Sequence, residues 1–261
     1  MLKKFRKIFS IGLMSGTSMD GINVSMVKTN GLVLDQCNLN IIRPYSNETL
    51  NLLNKVMVNI QYFLQEKDTL LKLEKLITLD HFEAIQYLLK KTKYKPDIIG
   101  FHGQTIFHDP KKKISIQIGN PQLLAELLNK SVVGNFRSED IKNGGEGAPI
   151  APIYHKLIIE KFKLDLPSCF LNLGGVSNLT YWDGKELIGF DTGPGNGLMD
   201  IYMQENYNKK FDCHGSLAKK GVVIQDHVKK FMKDTFFKKK YPKSLDKLYF
   251  SYIFERIKNN N

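Results

Sequence analysis

Ile11-Gly-Leu-Met-Ser-Gly-Thr-Ser-Met-Asp-Gly-Ile-Asn23 is an apolar run, a Gly/Ser/Thr turn and a second apolar run. Lys7 to Met14 reads as a strand. Ile22 to Val27 alternates apolar and polar residues up to the turn at Thr29-Asn30-Gly31, so the stretch predicts a β-hairpin. Gly16 and Gly21 allow positive φ, and Ser15, Thr17 and Ser18 add hydroxyls, so the tip offers a concave set of donors suited to a polyphosphate. Asp20 sets one carboxylate beside them, the common protein contribution to a Mg²⁺ ion held on phosphates. The same residues also read as an ordinary hairpin with a glycine-rich tip. A Walker loop is excluded, because no Lys-Ser/Thr follows and the turn leads into a strand.

The 261 residues are 42% hydrophobic, enough for two modest domains or one large one and typical of a soluble globular chain. The apolar runs fall short of a membrane span, and Met1-Leu-Lys-Lys-Phe-Arg6 lacks the apolar core of a secretion signal. Cys37, Cys169 and Cys213 are odd in number and far apart, which argues against a disulfide framework or zinc site and predicts a cytoplasmic protein. The net charge is +12, yet only Arg6, Arg43, Arg137 and Arg256 are arginines, and no nucleic-acid motif occurs. The reading is a solvated lysine surface, with neither nucleic acid nor membrane as partner, that would draw in anionic substrates.

Leu32 to Leu39 adds a third strand, Glu48 to Phe63 and Leu70 to Lys91 read as helices, and Pro96 to Phe101 is a short buried strand ending in a His102-Gly-Gln-Thr105 loop. Three strands, helix, strand is the order of a ribonuclease H-like α/β fold. A strand at Ser115 to Ile118, a helix at Pro121 to Asn129 and a strand at Ser131 to Phe136 continue the pattern. The Gly- and Pro-rich Lys142 to Pro152 then marks a boundary between lobes 1–152 and 153–261. After a helix at Tyr154 to Phe162, Cys169 to Tyr181 is again strand, Gly-rich turn, strand. Glu186 to Phe190 runs into Asp191-Thr-Gly-Pro-Gly-Asn196, with a helix from Gly197 and another over Leu217 to Met232. Each lobe thus opens with a glycine-rich hairpin, as in a two-lobed phosphotransferase.

Asp191, at a strand end before residues that cannot extend the strand, suits a general base acting on a hydroxyl or water. It equally suits a cap that bonds main-chain N–H groups, with Asn196 capping the helix beyond. Asn172, Ser177, Asn178 and Thr180 around Gly174-Gly175 offer donors to phosphate, or a plain hairpin tip. His102, Gln104 and Thr105 follow a strand, where open α/β sheets contact ligands, and Arg137 suits an anion clamp or a surface pair. His81, His155 and His227 read as structural or exposed.

Taken together, Gly12 to Gly21, Gly100-Phe-His-Gly-Gln-Thr105, Gly144-Gly-Glu-Gly-Ala-Pro149, Asn172 to Leu179 and Phe190-Asp-Thr-Gly-Pro-Gly-Asn196 strongly resemble anhydro-N-acetylmuramic acid kinases, in order, from the first strand to about Ser244. The resemblance implies an actin/hexokinase-like two-lobed fold. It also implies Mg-ATP-dependent phosphorylation of 1,6-anhydro-N-acetylmuramic acid, with hydrolytic opening of the anhydro ring to N-acetylmuramic acid 6-phosphate in cell-wall recycling. Gly16, Thr17, Ser18, Met19, Asp20, Gly21, Ile22 and Asn23 would be the ATP phosphate segment with Asp20 at Mg²⁺, joined by Gly174, Gly175 and Asn178. Asp191 would be the general base, and His102, Gln104, Thr105, Arg137, Gly193 and Asn196 the amino-sugar contacts. Homodimeric family members favour association of this chain as well.

Asn23, Asn120 and Asn135 stand where the family usually has Asp, and Leu245-Asp246 where it has Thr-Gly. The family's adenosine-binding loop and closing helices are not found, so the second lobe is expected to be incomplete, with weak ATP affinity and an exposed apolar face. A non-catalytic relic that binds an amino sugar or a partner chain, and a related actin-like-fold sugar kinase, are the alternatives.

Overall fold

A computed structural model describes residues 6–16, 19, 21–109, 112–246 and 249–253. The chain divides into two compact units, 1–147 with 157–163, and 148–156 with 164–261.

In the first unit β1 (Ile8–Ser15), β2 (Ile22–Thr29) and β3 (Leu34–Arg43) form the expected antiparallel meander. Helices α1 (Asn47–Val58), α2 (Ile60–Phe63) and α3 (Lys67–Leu89) return the chain to β4 (Ile98–Asp109), which pairs with β1 in parallel. Next come β5 (Ile114–Ile118), α4 (Pro121–Leu128), β6 (Ser131–Val133) and α5 (Phe136–Lys142). The sheet order is β3-β2-β1-β4-β5, with β6 also on β4. Period-two alternation turns Ile11 and Leu13 of β1 and Ile22, Val24 and Met26 of β2 into one core with Leu53 and Val56 of α1 and Leu73, Ile77 and Ile85 of α3.

Three expectations are corrected here. The helix over Glu48 to Phe63 breaks at Asn59, which sits at φ −135 and ψ 59, because an Asn side chain competes for backbone hydrogen bonds and tolerates non-helical dihedrals. The strand over Ser131 to Phe136 stops at Val133. A Cβ on Gly134 would lie 2.6 Å from the Pro121 ring, and Asn135 takes left-handed φ 58 and ψ 30 before α5 begins. Left-handed backbone favours Asn and cannot continue a strand. Finally, residues 102–105 are not a loop, since β4 runs through them to Asp109.

The second unit holds the start of α6 (Pro152–Phe162) and the antiparallel sheet β7 (Ser168–Leu173), β8 (Val176–Trp182) and β9 (Leu187–Pro194). It continues with α7 (Gly197–Tyr207), α8 (Gln225–Phe231) and α9 (Thr235–Lys238). Its small core is Phe236, Leu245 and Phe250, with Val176, Leu198, Phe231 and Phe237 against it. The helix expected over Leu217 to Met232 shrinks to α8 after two single 3₁₀ turns. Gly221 is extended at φ −83 and ψ 163, and the β-branched Val222-Val223-Ile224 run that follows is a poor helix former. Leu171, Leu173, Val222, Val223 and Ile224 are exposed.

Leu73 is fully buried on α3, whereas Val58 is 89% exposed. Leu73→Ala is expected to cost about 2–5 kcal/mol of unfolding free energy, and Val58→Ala less than about 0.5 kcal/mol, as read by urea denaturation of the two variants.

Candidate active site

The β1–β2 connection closes where Ser15 pairs with Ile22. Within it Met19 N–H donates to Gly16 O at 3.1 Å, and Met19 takes φ 56, a strained backbone for a non-glycine residue of the kind that gathers at ligand sites. Gly21 is required for space, since a Cβ there would lie 2.8 Å from Arg43 O. Thr17, Ser18 and Asp20, three of the expected phosphate and metal residues, lie outside the described residues. Ile22 is buried in the core, and Asn23 points to the opposite, exposed face of β2.

Beneath this turn β4 carries polar side chains inward. Gln104 is fully buried, and Tyr45 Oη donates to its Oε1 at 3.0 Å. Its Nε2 donates to Gly16 O at 3.2 Å and to Thr105 O at 3.1 Å. Ser15 Oγ donates to Gly103 O at 3.1 Å. Gly103 bends the strand at φ +71, where a Cβ would lie 2.6 Å from Ile118 O. The expected ligand residue Gln104 is therefore engaged by its own unit on both ends of its amide. Thr105, 8% exposed, accepts from Gln117 Nε2 at 3.3 Å.

His102 Nδ1 bonds Gly103 O at 2.7 Å, and Arg137 Nε donates to His102 Nε2 at 2.8 Å. A carbonyl can only accept and Nε2 receives a donor, so the ring is neutral with its proton on Nδ1. Burial, helped by the Arg137 cation, pushes the His102 pKa down to about 4. Arg137 Nη1 also donates to Gly147 O at 2.8 Å, so the guanidinium is held in a fixed plane between β4 and the Gly-rich loop. That loop wraps Asp140, whose backbone O accepts from Gly145 N and whose Oδ2 accepts from Gly147 N at 2.8 Å.

In the second unit β9 runs through Asp191 instead of ending before it, and a bulge at Thr192 interrupts its pairing with β8. Bulges re-aim side chains beside active sites. Asp191 is 5% exposed. Its N–H donates to Lys243 O at 2.9 Å, and its Oδ2 accepts from Leu245 N–H at 2.8 Å. One oxygen is thus anchored by a main-chain donor, which fixes the carboxylate's orientation. The backbone groups of Lys243 and Leu245 leave no mark in the sequence, and neither was expected at the site.

The Gly174-Gly175 turn presents its carbonyls to the start of α7. Gly174 O accepts from Asn196 N at 2.7 Å, and Gly175 O accepts from Gly195 N and Gly197 N, each at 3.1 Å. Asn196 does not cap α7 with its side chain, because its Nδ2 donates to Leu173 O at 2.8 Å. Two expected donors point inward, with Ser177 Oγ on Pro194 O at 3.2 Å and Thr180 Oγ1 on His155 Nδ1 at 2.8 Å. Gly193 is buried, and Asn178, half-buried, pairs with Asp191 across the sheet.

Two of the Asp-to-Asn departures have local reasons. Asn120 caps α4 by accepting from Leu123 N at 2.9 Å, while its Nδ2 donates to Glu74 Oε2 at 3.3 Å. An aspartate there would set two carboxylates face to face. Asn135 sits in the left-handed region noted above.

A model of the family described as anhydro-N-acetylmuramic acid kinase matches residues 8–259. An anhydro-N-acetylmuramic acid kinase of Rhodopseudomonas palustris is 40% identical over 245 residues, covering 91% of this chain and 67% of the relative. One of Pelagibacter ubique is 42% identical over 228 residues, covering 83% and 59%. Among solved structures, an exopolyphosphatase-like protein superposes with a TM-score of 0.37 at 12% identity, covering 77% of this chain and 55% of that one. The class that follows is an α/β sugar kinase, a phosphotransferase with an alcohol as acceptor. Within that class, the chain belongs to the anhydro-N-acetylmuramic acid kinase family.

His81 is fully buried on α3, its Nδ1 bonding Ile77 O at 2.8 Å, and burial pushes it, like His102, down to about 4. The unfolded chain binds more protons than the folded one between those values and the ordinary 6.5, so stability is full above about pH 6.5 and falls as the pH drops toward about 4. Urea unfolding at about pH 7.5 and about pH 5 is expected to differ by roughly 2 kcal/mol per histidine. His102→Gln should remove about half of that difference.

Proposed function

We propose that the two units are lobes of an actin/hexokinase-like fold and that the chain phosphorylates 1,6-anhydro-N-acetylmuramic acid with ATP while water opens the anhydro ring. The water proton passes to Asp191 as its oxygen bonds C1 and the C1–O bridge breaks. The freed O6 then bonds the γ-phosphorus as the bond to the ADP oxygen breaks. The products are N-acetylmuramic acid 6-phosphate, ADP and a proton. The single observation that carries this reading is Asp191: 5% exposed, beside a strand bulge, with one carboxylate oxygen anchored by Leu245 N–H. A base held in one orientation by a main-chain donor suits proton abstraction in a fixed geometry.

The other roles follow from position. Gly16 to Asn23 would take the phosphates, a reading supported by the strained backbone of Met19 and the required Gly21. The Gly174-Gly175 turn would add N–H groups only, because its carbonyls are spent on α7. Arg137, with its plane fixed by His102 and Gly147, is the cation assigned to the acid group of the muramic substrate. His102 and Gln104 would act behind it and behind the turn, and Thr105, Gly193 and Asn196 remain assigned to the sugar. Among the described residues no group of three or more His, Cys, Asp or Glu could hold a metal ion. Mg²⁺ keeps most of its ligands as phosphate oxygens and water with one or two carboxylates, and Asp20 is the residue we assign to it. Bound there, the ion would neutralise phosphate charge. Cytoplasmic action fits the substrate, and no described helix is long and apolar enough to cross a membrane.

Incubation with Mg-ATP and the anhydro sugar in ¹⁸O-water should give the 6-phosphate with label at C1. Asp191→Asn should lower kcat by roughly 10²–10⁴-fold. An unlabelled product, or a variant that keeps most of its turnover, removes the base assignment.

A further inference from the structure

The Gly16 carbonyl is the point where the β1 ladder ends and the turn begins. It accepts from Met19 N–H at 3.1 Å on the turn side and from Gln104 Nε2 at 3.2 Å on the core side. A carbonyl swung toward a polyphosphate would repel it, and this one is drawn inward. What draws it inward is a fully buried amide whose own plane must be fixed, because a glutamine side chain has three rotatable bonds. Tyr45, 6% exposed between β3 and α1, supplies that constraint by donating its hydroxyl to Gln104 Oε1 at 3.0 Å. With Oε1 taken by a donor, Nε2 faces Gly16 O and Thr105 O together. The neighbouring His81 does not do this work. Its ring stands edge-on to Tyr45 at 6.0 Å between centroids, and among the described residues its buried Nε2 has no hydrogen-bond partner.

We propose that Tyr45 is a positioning residue for nucleotide binding, acting through Gln104 to hold the Gly16 carbonyl away from the phosphates. The inference rests on the reading of Gly16 to Asn23 as the phosphate segment. It also accounts for a buried amide and phenol in the middle of an apolar core, where each unpaired polar group would be destabilising.

The test uses Tyr45→Phe, which keeps the ring and removes only the hydroxyl. In the ligand-free protein, exchange of the Met19 amide, the one bonded to Gly16 O, should speed up about tenfold. Amides of the β1–β4 ladder should be unchanged, and Ile85→Val serves as a control for general loosening of the core. In turnover, the KM for ATP should rise about tenfold, equivalent to ~1.4 kcal/mol, while the KM for the sugar moves less than about twofold. Gln104→Met should reproduce the ATP effect, and adding Tyr45→Phe to it should change nothing further, since both act on one chain of bonds. Unchanged Met19 exchange, equal shifts in both KM values, or additive effects would each overturn the role of Tyr45. A wild-type chain that fails to turn over Mg-ATP would instead remove the reading of the turn, and the ligand-free exchange would still decide whether Tyr45 holds it.

Discussion

The parallel pairing of β1 with β4 is the constraint on which the first unit depends. It places Gly12 opposite Gly100 and Leu13 opposite Phe101, and then shifts register so that Ser15 meets Gln104. Without that shift the polar side chains of β4 would not lie under the turn that ends β1. The shift is made possible by Gly103, whose positive φ and close approach to Ile118 O no other residue could adopt without strain. A strand that is apolar through Phe101 thus delivers His102, Gln104 and Thr105 into a buried layer, where each must find partners inside the protein.

That layer decides the electrostatics of the unit. His102 and His81 are kept neutral by burial, and burial also pushes the Tyr45 phenol up, so it remains a donor. The cation in contact with the layer is Arg137, and its orientation is set by a histidine on one side and a loop carbonyl on the other. The second unit solves a related problem differently. Its buried carboxylate, Asp191, is anchored by main-chain groups of a segment 54 residues further on, so its geometry depends on the chain beyond Pro242 folding back onto β9 against Phe236 and Phe250.

Much of this was legible in the sequence. Period-two alternation, together with glycine at the turns, gave the first hairpin, the meander and the second hairpin, because strand burial on one face leaves that signature. Five motifs in order gave the family. The errors cluster where local signals compete with tertiary ones. The strand through His102 to Asp109 looked like a loop because its polar residues face a satisfied interior that the sequence does not reveal. Residues 217–232 looked helical by composition, yet Gly221 and Ile224 are extended and the helix begins only at Gln225.

By itself, the sequence determined which residues could do chemistry and the order in which hairpins, helices and the Asp191 turn occur, because residue type and spacing are local properties. Only the tertiary structure decided what those residues are bonded to. Gln104 serves Gly16, Arg137 is fixed by His102, the carbonyls of Gly174 and Gly175 receive α7, and Leu245 N–H holds Asp191. The reason is physical: a buried donor or acceptor must be paired, and its partner is whichever group the fold brings within about 3 Å, often a backbone atom that carries no residue identity at all.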